Sequence, residues 1–140
     1  MNIYQAGPLF TAAEIQWQKN FSQQLISAGY VVQWPRDFFT QQEIEHWGVE
    51  ASKKIMDRDR TAIDACDVVV ALLDGTQVDD GTAWEIGYAY AKGKPVIGIR
   101  TDFRNAGDTA HGRVNAMIEG SCLGIAKDFD EVLKLLETIS

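Results

Sequence analysis

Three acidic residues lie close together in the middle of the chain, at Asp79, Asp80 and Glu85. They follow residues 68–73, an apolar run between Asp67 and Asp74 that predicts a buried β-strand, and they stand where a helix is expected to begin. Gly81 lies between them and gives the backbone freedom to turn. Ligands of open α/β sheets bind beyond the carboxyl ends of the strands. Acids at such a turn are therefore candidates for helix capping or for catalysis.

Two interpretations of Glu85 are open, and the spacing alone favours helix capping. Thr82 and Glu85 have the spacing of a capping box, in which the glutamate accepts a hydrogen bond from the threonine N–H. In the alternative, the helix dipole lowers the pKa of Glu85, and the ionised carboxylate attacks an electrophilic carbon. Retaining glycosyl transfer uses a carboxylate in this way and also needs a proton donor, which Asp79 or Asp80 would supply. Both aspartates are equally compatible with a solvated loop.

The loop after the expected first strand, residues 7–10, is a second candidate for ligand contact. It begins at Gly7 but lacks the Gly-x-Gly-x-x-Gly pattern, and it contains no Ser, Arg or Lys that would bind a phosphate. Phe10 offers an apolar face suited to a flat ring, although packing in the core is an equally good explanation. Further aromatic residues that either stack on a ring or belong to the core are Trp34, Phe38, Phe39 and Trp47.

Strand and helix patterns alternate along the chain. Strands are predicted at residues 2–6, 30–34, 68–73, 95–99 and 123–126. Helices are predicted from Thr11 to Gly29, at 49–65 and 82–92, in one turn at 115–118, and after Asp128 or Asp130, with irregular segments at 36–48 (containing at most a short helix) and 101–113. This order predicts an α/β fold with a doubly wound, mostly parallel five-stranded sheet and helices on both faces.

Size and charge restrict the class of protein. The 140 residues suit one domain, residues 1–140, and 46% hydrophobic with 24% charged residues is ordinary for a globular chain. The net charge of −7 argues against nucleic acid or an anionic membrane as the main partner, because each favours a basic surface. A neutral small molecule is compatible with this charge.

Metal, disulfide and targeting signals are missing from the sequence. Cys66 and Cys122 lack the Cys-x-x-Cys spacing and are expected to be reduced. His46 and His111 stand outside any metal-ligand spacing, so neither a metal nor a cofactor is expected. No signal peptide is visible and no apolar run approaches the ~20 residues that span a bilayer, which favours a cytoplasmic protein.

Several segments together resemble the nucleoside 2-deoxyribosyltransferase family, over about residues 2 to 120. The first matching segments are Ile3-Tyr4-Gln-Ala-Gly-Pro-Leu-Phe10 and Ala-Cys-Asp67-Val-Val-Val-Ala-Leu-Leu-Asp74, with Asp59 eight residues before Asp67. The later ones are Asp79-Asp-Gly-Thr-Ala-Trp-Glu85-Ile-Gly-Tyr-Ala, Gly93-Lys-Pro95 and Asn115-Ala-Met. The resemblance implies a flavodoxin-like (Rossmann-like) fold. It also implies transfer of 2-deoxyribose from a deoxynucleoside to a free nucleobase by double displacement, with no cofactor or metal.

The same resemblance assigns roles to individual residues. Glu85 would be the nucleophile that attacks C1′, and Tyr4 would orient it by a hydrogen bond. Asp59 and Asp79 would bind the base or sugar and carry the proton of the departing and arriving nitrogen. Asn115 would reach the 5′-hydroxyl across a subunit interface, which implies a homo-oligomer with shared active sites. Further substrate-binding candidates around these residues are Gly7, Phe10, Asp80 and Gly81.

Two departures from the family and two alternative functions remain. Some family members end in an aromatic residue whose carboxylate enters a neighbouring site, whereas this chain ends in Ser140, and residues 101–113 have no evident counterpart. One alternative is a 2′-deoxynucleoside 5′-monophosphate N-glycosidase, in which water replaces the acceptor base and Arg36, Arg104 or Arg113 supplies the phosphate contact. The other is a nucleoside- or nucleotide-binding module without catalysis.

Overall fold

Within residues 1–139, five parallel strands form one sheet, with helices on both of its faces. These are the residues that the structure, a computed structural model, describes. The strands are β1 (Asn2–Ala6), β2 (Val31–Gln33), β3 (Val68–Leu72), β4 (Val96–Ile99) and β5 (Gly124–Ala126), and their order across the sheet is β2-β1-β3-β4-β5. Each neighbouring pair is parallel. This is the flavodoxin-like order, so the predicted fold class is confirmed, and the sheet is parallel throughout rather than mostly parallel.

The helices begin at residues that satisfy their first free N–H groups. The helices are α1 (Ala12–Ser27), α2 (Gln41–Trp47), α3 (Ala51–Ala65), α4 (Asp80–Ala91), α5 (Ala116–Glu119) and α6 (Phe129–Glu137), with 3₁₀ turns at Pro35–Asp37 and Gly48–Glu50. The predicted capping box of α1 is present, because Thr11 and Glu14 exchange side-chain to backbone bonds. Of the two candidate caps for the last helix, Asp128 is the one that caps α6.

Two buried clusters hold the helices onto the sheet. Because side chains alternate across a strand, Tyr4 and Val69 face one side, where α3 and α4 pack, while Ile3 and Val68 face the other. On that second side, α1 and α6 contribute apolar residues that include Phe21, Leu25, Val132 and Leu136. The uninterrupted apolar sequence of β3 is explained by burial of all five of its residues.

The strand order fixes where a crevice opens. The chain crosses to opposite sides of the sheet after β1 and after β3, and these two strands are neighbours, with Tyr4 paired to Val69 and Ala6 to Ala71. In a doubly wound sheet, the loops that leave two such strands separate and leave a cleft at their carboxyl ends. Within residues 1–139, no helix is long and apolar enough to cross a membrane.

Candidate active site

A cavity of about 740 Å³ lies beyond the carboxyl ends of β1 and β3. Its walls come from the loop after β1, the segment that leads into α2, the α3 helix and the start of α4. The lining residues are Gly7, Leu9, Phe10, Pro35, Arg36, Asp37, Phe39, Thr40, Gln41, Ile44, Ile55, Asp59, Asp79, Gly81, Thr82 and Glu85. The tertiary structure thus brings together residues that are up to 78 positions apart, from Gly7 to Glu85.

Glu85 and Tyr4 meet at this cavity. Tyr4 lies on β1, is fully buried and faces the side of the sheet that α4 covers. Its hydroxyl donates a hydrogen bond to Oε1 of Glu85 over 2.6 Å. The hydrogen bond that the family resemblance implies is therefore present. It holds one carboxylate oxygen of Glu85, a residue that also lines the cavity.

The capping interpretation of Glu85 is wrong, and Asp79 is the residue that caps α4. Asp79 Oδ2 accepts hydrogen bonds from the backbone N and the hydroxyl of Thr82, both at 2.9 Å. Because Asp79 takes this place, α4 begins at Asp80, two residues before the predicted start at Thr82. Glu85 consequently lies in the second turn of the helix, where its side chain bonds to Tyr4 instead of the helix end.

The pKa of Glu85 is raised to about 8, in contrast to the lowering expected from the helix dipole. Burial is the largest cause, and the nearby charges of Asp59 and Asp79 raise the pKa further, while the hydrogen bond from Tyr4 lowers it. Burial prevails because the dipole acts mainly within the first turn of a helix. The pKa of Tyr4 also lies well above its ordinary value, owing first to burial and then to Glu85, so its hydroxyl stays protonated.

Asp59 brings a third acid to the cavity, from α3. Burial raises its pKa to about 6, and the nearby Arg58 lowers it only in part. Its Oδ1 atom is buried and finds no hydrogen-bond partner among residues 1–139. A carboxyl group with one unsatisfied oxygen and a pKa close to neutrality is suited to giving and taking a proton.

Aromatic and apolar side chains form the outer walls. Phe10 is 81% exposed, so the alternative that it packs in the core is wrong, and it lines the cavity. Phe39 lines the cavity from the other direction and packs edge-on against Trp47, with ring centroids 4.9 Å apart. Trp34 is buried at 7% exposure and belongs to the core. Phe38 packs against the core, and the guanidinium carbon of Arg58 lies over its ring, 4.3 Å from the ring centroid of Phe38.

The remaining predicted site residues lie at different places. Gly7 and Gly81 line the cavity, whereas Asp80 is exposed and its Oδ1 accepts a hydrogen bond from the Gly81 N–H. Asn115 caps the short helix α5, donates a hydrogen bond to Asp108 over 3.1 Å, and lines a separate cavity of about 370 Å³. Within one chain, therefore, Asn115 does not join Glu85, and its predicted contact across a subunit interface stays a prediction.

Sequence reasoning did not identify the wall that α2 contributes. Thr40, Gln41 and Ile44 line the cavity, and a capping box between Thr40 and Glu43 starts the helix that carries them. The Thr-x-x-Glu spacing at residues 40–43 is the signal that would have located this helix.

Basic side chains are scarce among the described residues of the site, and the acids there are not arranged as metal ligands. Arg36 is the one basic side chain among the described residues that line the cavity. Arg104 binds Asp102, and Arg113 donates to the backbone oxygen of Ile125, so neither offers a phosphate contact here. In the part of the chain that the structure describes, no group of three or more His, Cys, Asp or Glu side chains is arranged to hold a metal ion.

Solved structures with the same fold come from several bacteria. A 2-deoxyribosyltransferase from Bacillus psychrosaccharolyticus is 26% identical, with a TM-score of 0.77, and the match covers 94% of this chain and 90% of that one. A conserved protein from Enterococcus faecalis V583 is 27% identical, with a TM-score of 0.78 and coverage of 99% and 98%. A CMP N-glycosidase from Clostridium botulinum matches with a TM-score of 0.63 over 98% and 99% of the chains, and its 22% identity supports likeness of fold alone.

Sequence comparison gives the family directly. An uncharacterized protein of Schizosaccharomyces pombe is 44% identical over 61 residues, which are 41% of this chain and only 29% of the length of the yeast protein. The model of the nucleoside 2-deoxyribosyltransferase family matches residues 3–121, which include Tyr4, Asp59, Asp79, Glu85 and Asn115. The chain therefore belongs to the nucleoside 2-deoxyribosyltransferase family.

Proposed function

We propose that this protein transfers 2-deoxyribose from a deoxynucleoside to a free nucleobase through a covalent intermediate on Glu85. The observation that carries the proposal is the hydrogen bond of 2.6 Å from Tyr4 to Glu85 Oε1 at the floor of a cavity that also contains Asp59 and Asp79. Family membership and the likeness to the Bacillus psychrosaccharolyticus 2-deoxyribosyltransferase support the same reaction.

The reaction has two displacements at C1′ of the sugar. In the first, Glu85 Oε2 forms a bond to C1′ while the bond from C1′ to the base nitrogen breaks, and the departing base takes a proton from Asp59 or Asp79. In the second, a different base attacks C1′, releases its proton to the same aspartate and frees Glu85. Each displacement inverts C1′, so the β configuration is retained.

Glu85 and Asp59 share one proton, so that one of them can act as the ionised nucleophile and the other as the proton donor. Glu85, with a pKa of about 8, and Asp59, with a pKa of about 6, together carry about one proton at neutral pH. The reactive form has this proton on the aspartate and the negative charge on the glutamate. The hydrogen bond from Tyr4 favours that form, because it stabilises the ionised carboxylate of Glu85.

The charges of the cavity favour a nucleoside over a nucleotide. Asp37, Asp59, Asp79 and Glu85 line it, and Arg36 is the one basic side chain that the described residues place against them. Even with Glu85 protonated, the lining stays negative and opposes a 5′-phosphate. The apolar faces of Phe10 and Phe39 suit the ring of a base, which is uncharged.

The transferase activity is tested by mixing one deoxynucleoside with a different free base and following the new nucleoside by chromatography. Base exchange that disappears in Glu85→Ala supports the proposal, as does a sugar adduct on Glu85 trapped with a slow 2-fluoro sugar substrate and found by mass spectrometry. Hydrolysis of a 5′-monophosphate without exchange would instead assign an N-glycosidase. Ligand binding without turnover would assign a binding module.

We further propose that the active unit is a homo-oligomer in which Asn115 contacts the sugar held by a neighbouring chain. Support comes from its exposed position at the start of α5, outside the cavity that contains Glu85 in its own chain. Mixing Asn115→Ala chains with Glu85→Ala chains tests this. Recovery of activity in the mixture supports a shared site, and a mixture as inactive as its two components contradicts it.

A further inference from the structure

Arg100 is a buried basic residue with no assigned role, directly after β4. It is 2% exposed, and its guanidinium donates hydrogen bonds to three backbone carbonyl groups. Nη1 binds the oxygen of Leu73 over 2.5 Å, both Nη1 and Nη2 bind the oxygen of Gly75 over 3.1 Å, and Nη2 binds the oxygen of Arg104 over 2.8 Å. A buried charge is costly, so this geometry is maintained by its many bonds to the loop that leaves β3.

Two aspartates complete the connection from the opposite direction. Asp74 accepts hydrogen bonds from the backbone N of Thr101 over 2.6 Å and of Asp102 over 3.0 Å. Asp102 in turn accepts one from the Gly75 N–H over 3.2 Å. We call Asp74, Arg100 and Asp102 the loop clamp, because together they join residues 73–75 to residues 100–104.

The loop clamp lies one short segment away from the proposed chemistry. Only residues 76–78 separate Gly75 from Asp79, which caps α4 and lines the cavity with Glu85. The segment is therefore held at both ends, by Arg100 at Gly75 and by the bonds of Asp79 to Thr82. Release of the first end would let Asp79 and the beginning of α4 shift relative to Tyr4 on β1.

We infer that Arg100 is a positioning residue, which holds the loop between β3 and α4 so that Asp79 faces Glu85 across the cavity. The inference rests on the proposed transferase function for its kinetic tests, while its structural part can be measured without any activity. It differs from the role of an ordinary buried ion pair, because the acceptors of Arg100 are mainly the backbone of the loop itself.

The kinetic test is a double-mutant cycle of Arg100→Met and Asp79→Asn, read as kcat and KM for base exchange. We expect Arg100→Met to lower kcat by about 10- to 100-fold with a smaller change in KM, as displacement of a reacting group by about 1 Å does. In the Asp79→Asn background, the same change should have almost no further effect, since Arg100 acts through Asp79. A general loss of structure would lower kcat by the same factor in both backgrounds, and that result would overturn the inference.

The pH profile gives a second kinetic reading. Asp79 is one of the charges that raise the pKa of Glu85, alongside burial and Asp59. If Arg100→Met lets Asp79 move away, the high-pH limb of the profile should move to lower pH. Tyr4 and Asp59 also face Glu85, but they lie on β1 and α3, which Arg100 does not bind.

The structural test is amide hydrogen exchange in residues 75–82, with Arg113→Met as the matched control. Arg113 also donates from the 101–113 segment to a backbone oxygen, that of Ile125, but it makes no contact with the loop after β3 among the bonds described. Amide hydrogen exchange should become at least about 10-fold faster in Arg100→Met and stay unchanged in Arg113→Met. The Arg113→Met control should also keep the wild-type kcat for base exchange. Equal rates of amide hydrogen exchange in Arg100→Met and Arg113→Met would overturn the inference.

Two further outcomes separate this inference from the proposed function. If the wild-type protein shows no base exchange, the proposed function fails, while hydrogen exchange still tests the loop clamp. If Arg100→Met does not fold, Asp102→Ala takes its place in both experiments, because it removes the bond to the Gly75 N–H at a side chain that is 11% exposed. Unchanged kcat and unchanged exchange in Asp102→Ala would then refute the clamp.

Discussion

Replacing Glu85 by glutamine should abolish base exchange and, at pH 8, make the protein more stable. Glutamine has nearly the shape of glutamate, and its carbonyl oxygen can accept the same hydrogen bond from Tyr4. It cannot ionise, so the amide neither attacks C1′ nor carries a buried charge. Loss of activity would thus accompany a gain in stability, as expected where a functional group is held at a cost to the fold.

The size of the gain follows from the pKa of Glu85. The pKa is about 8 in the folded protein against an ordinary value of 4.5, so between these values the folded state binds more protons than the unfolded state. The free energy of unfolding therefore falls as pH rises through this window. At pH 7, about 2.5 pH units above the ordinary pKa, the buried carboxylate lowers the free energy of unfolding by about 3 kcal/mol. Water in the open cavity offsets part of it, and we expect glutamine to gain about 1–3 kcal/mol more at pH 8 than at pH 5.

The assay is urea unfolding of the wild type and Glu85→Gln at pH 5 and pH 8, with the difference in unfolding free energy compared between the two pH values. Glu131→Gln is the matched control, because hydrogen bonds with Lys127 hold the pKa of Glu131 below its ordinary value. The stability that Glu131 contributes is present above the unfolded pKa and lost only as pH falls below it. Its substitution should therefore have the same effect at pH 5 and pH 8.

The reasoning is refuted if Glu85→Gln changes the unfolding free energy equally at the two pH values. Such a result would mean that Glu85 titrates alike in the folded and unfolded states. The charge cost that burial, Asp59 and Asp79 impose would then be absent. A gain in unfolding free energy that is larger at pH 5 than at pH 8 would contradict the predicted direction of the pH dependence.

Three further predictions concern the cavity. The value of kcat/KM should follow a bell-shaped pH profile with limbs near pH 6 and pH 8, whereas the remaining activity of Asp59→Asn should rise with pH as Glu85 ionises and show no fall at high pH; a wild-type profile that is flat from pH 5 to 9 contradicts this. Tyr4→Phe should lower kcat/KM about 10-fold and move the limb near pH 8 to higher pH. The hydrogen bond from Tyr4 lowers the pKa of Glu85 in the wild type, so its loss should raise that pKa; a shift of the limb to lower pH would contradict the assigned cause. Phe10→Ala should raise KM about 10-fold with kcat nearly unchanged, if the exposed ring stacks on the base as proposed and does not reach C1′; an unchanged KM would exclude the stacking role.

Much of the fold could be predicted because local patterns determine it. The apolar run at residues 68–73 can only be accommodated where both faces are covered, and alternating helices then impose parallel strands. The capping pattern at Thr11 located the start of α1 correctly, whereas the same pattern at Thr40 was overlooked. A helix start was misplaced where two caps compete, because Asp79 takes the Thr82 N–H and starts α4 two residues early.

The site was less predictable, because its chemistry depends on residues that are distant in sequence. Spacing around Glu85 favoured a helix cap, and the dipole suggested a lowered pKa. The hydrogen bond from Tyr4, 81 positions away, was implied only by the family resemblance, and it is present. The burial of the carboxylate and its closeness to Asp59, which raise its pKa, followed from no sequence pattern. The helix α2 could have been located from its Thr-x-x-Glu spacing, but that it lines the same cavity as Phe10 and Ile55 follows only from the tertiary structure.

Patterns in the sequence were enough to predict the parallel sheet, its crevice and the acids Asp79 and Glu85 of the site. They were enough because hydrophobic periodicity, glycines and capping residues act over a few positions. The bond from Tyr4 to Glu85 was implied by the family resemblance. Which acid caps α4 and how far the pKa of Glu85 rises, to about 8, became known only from the packed structure. Burial and electrostatic coupling are properties of the whole packed chain, and no local spacing contains them.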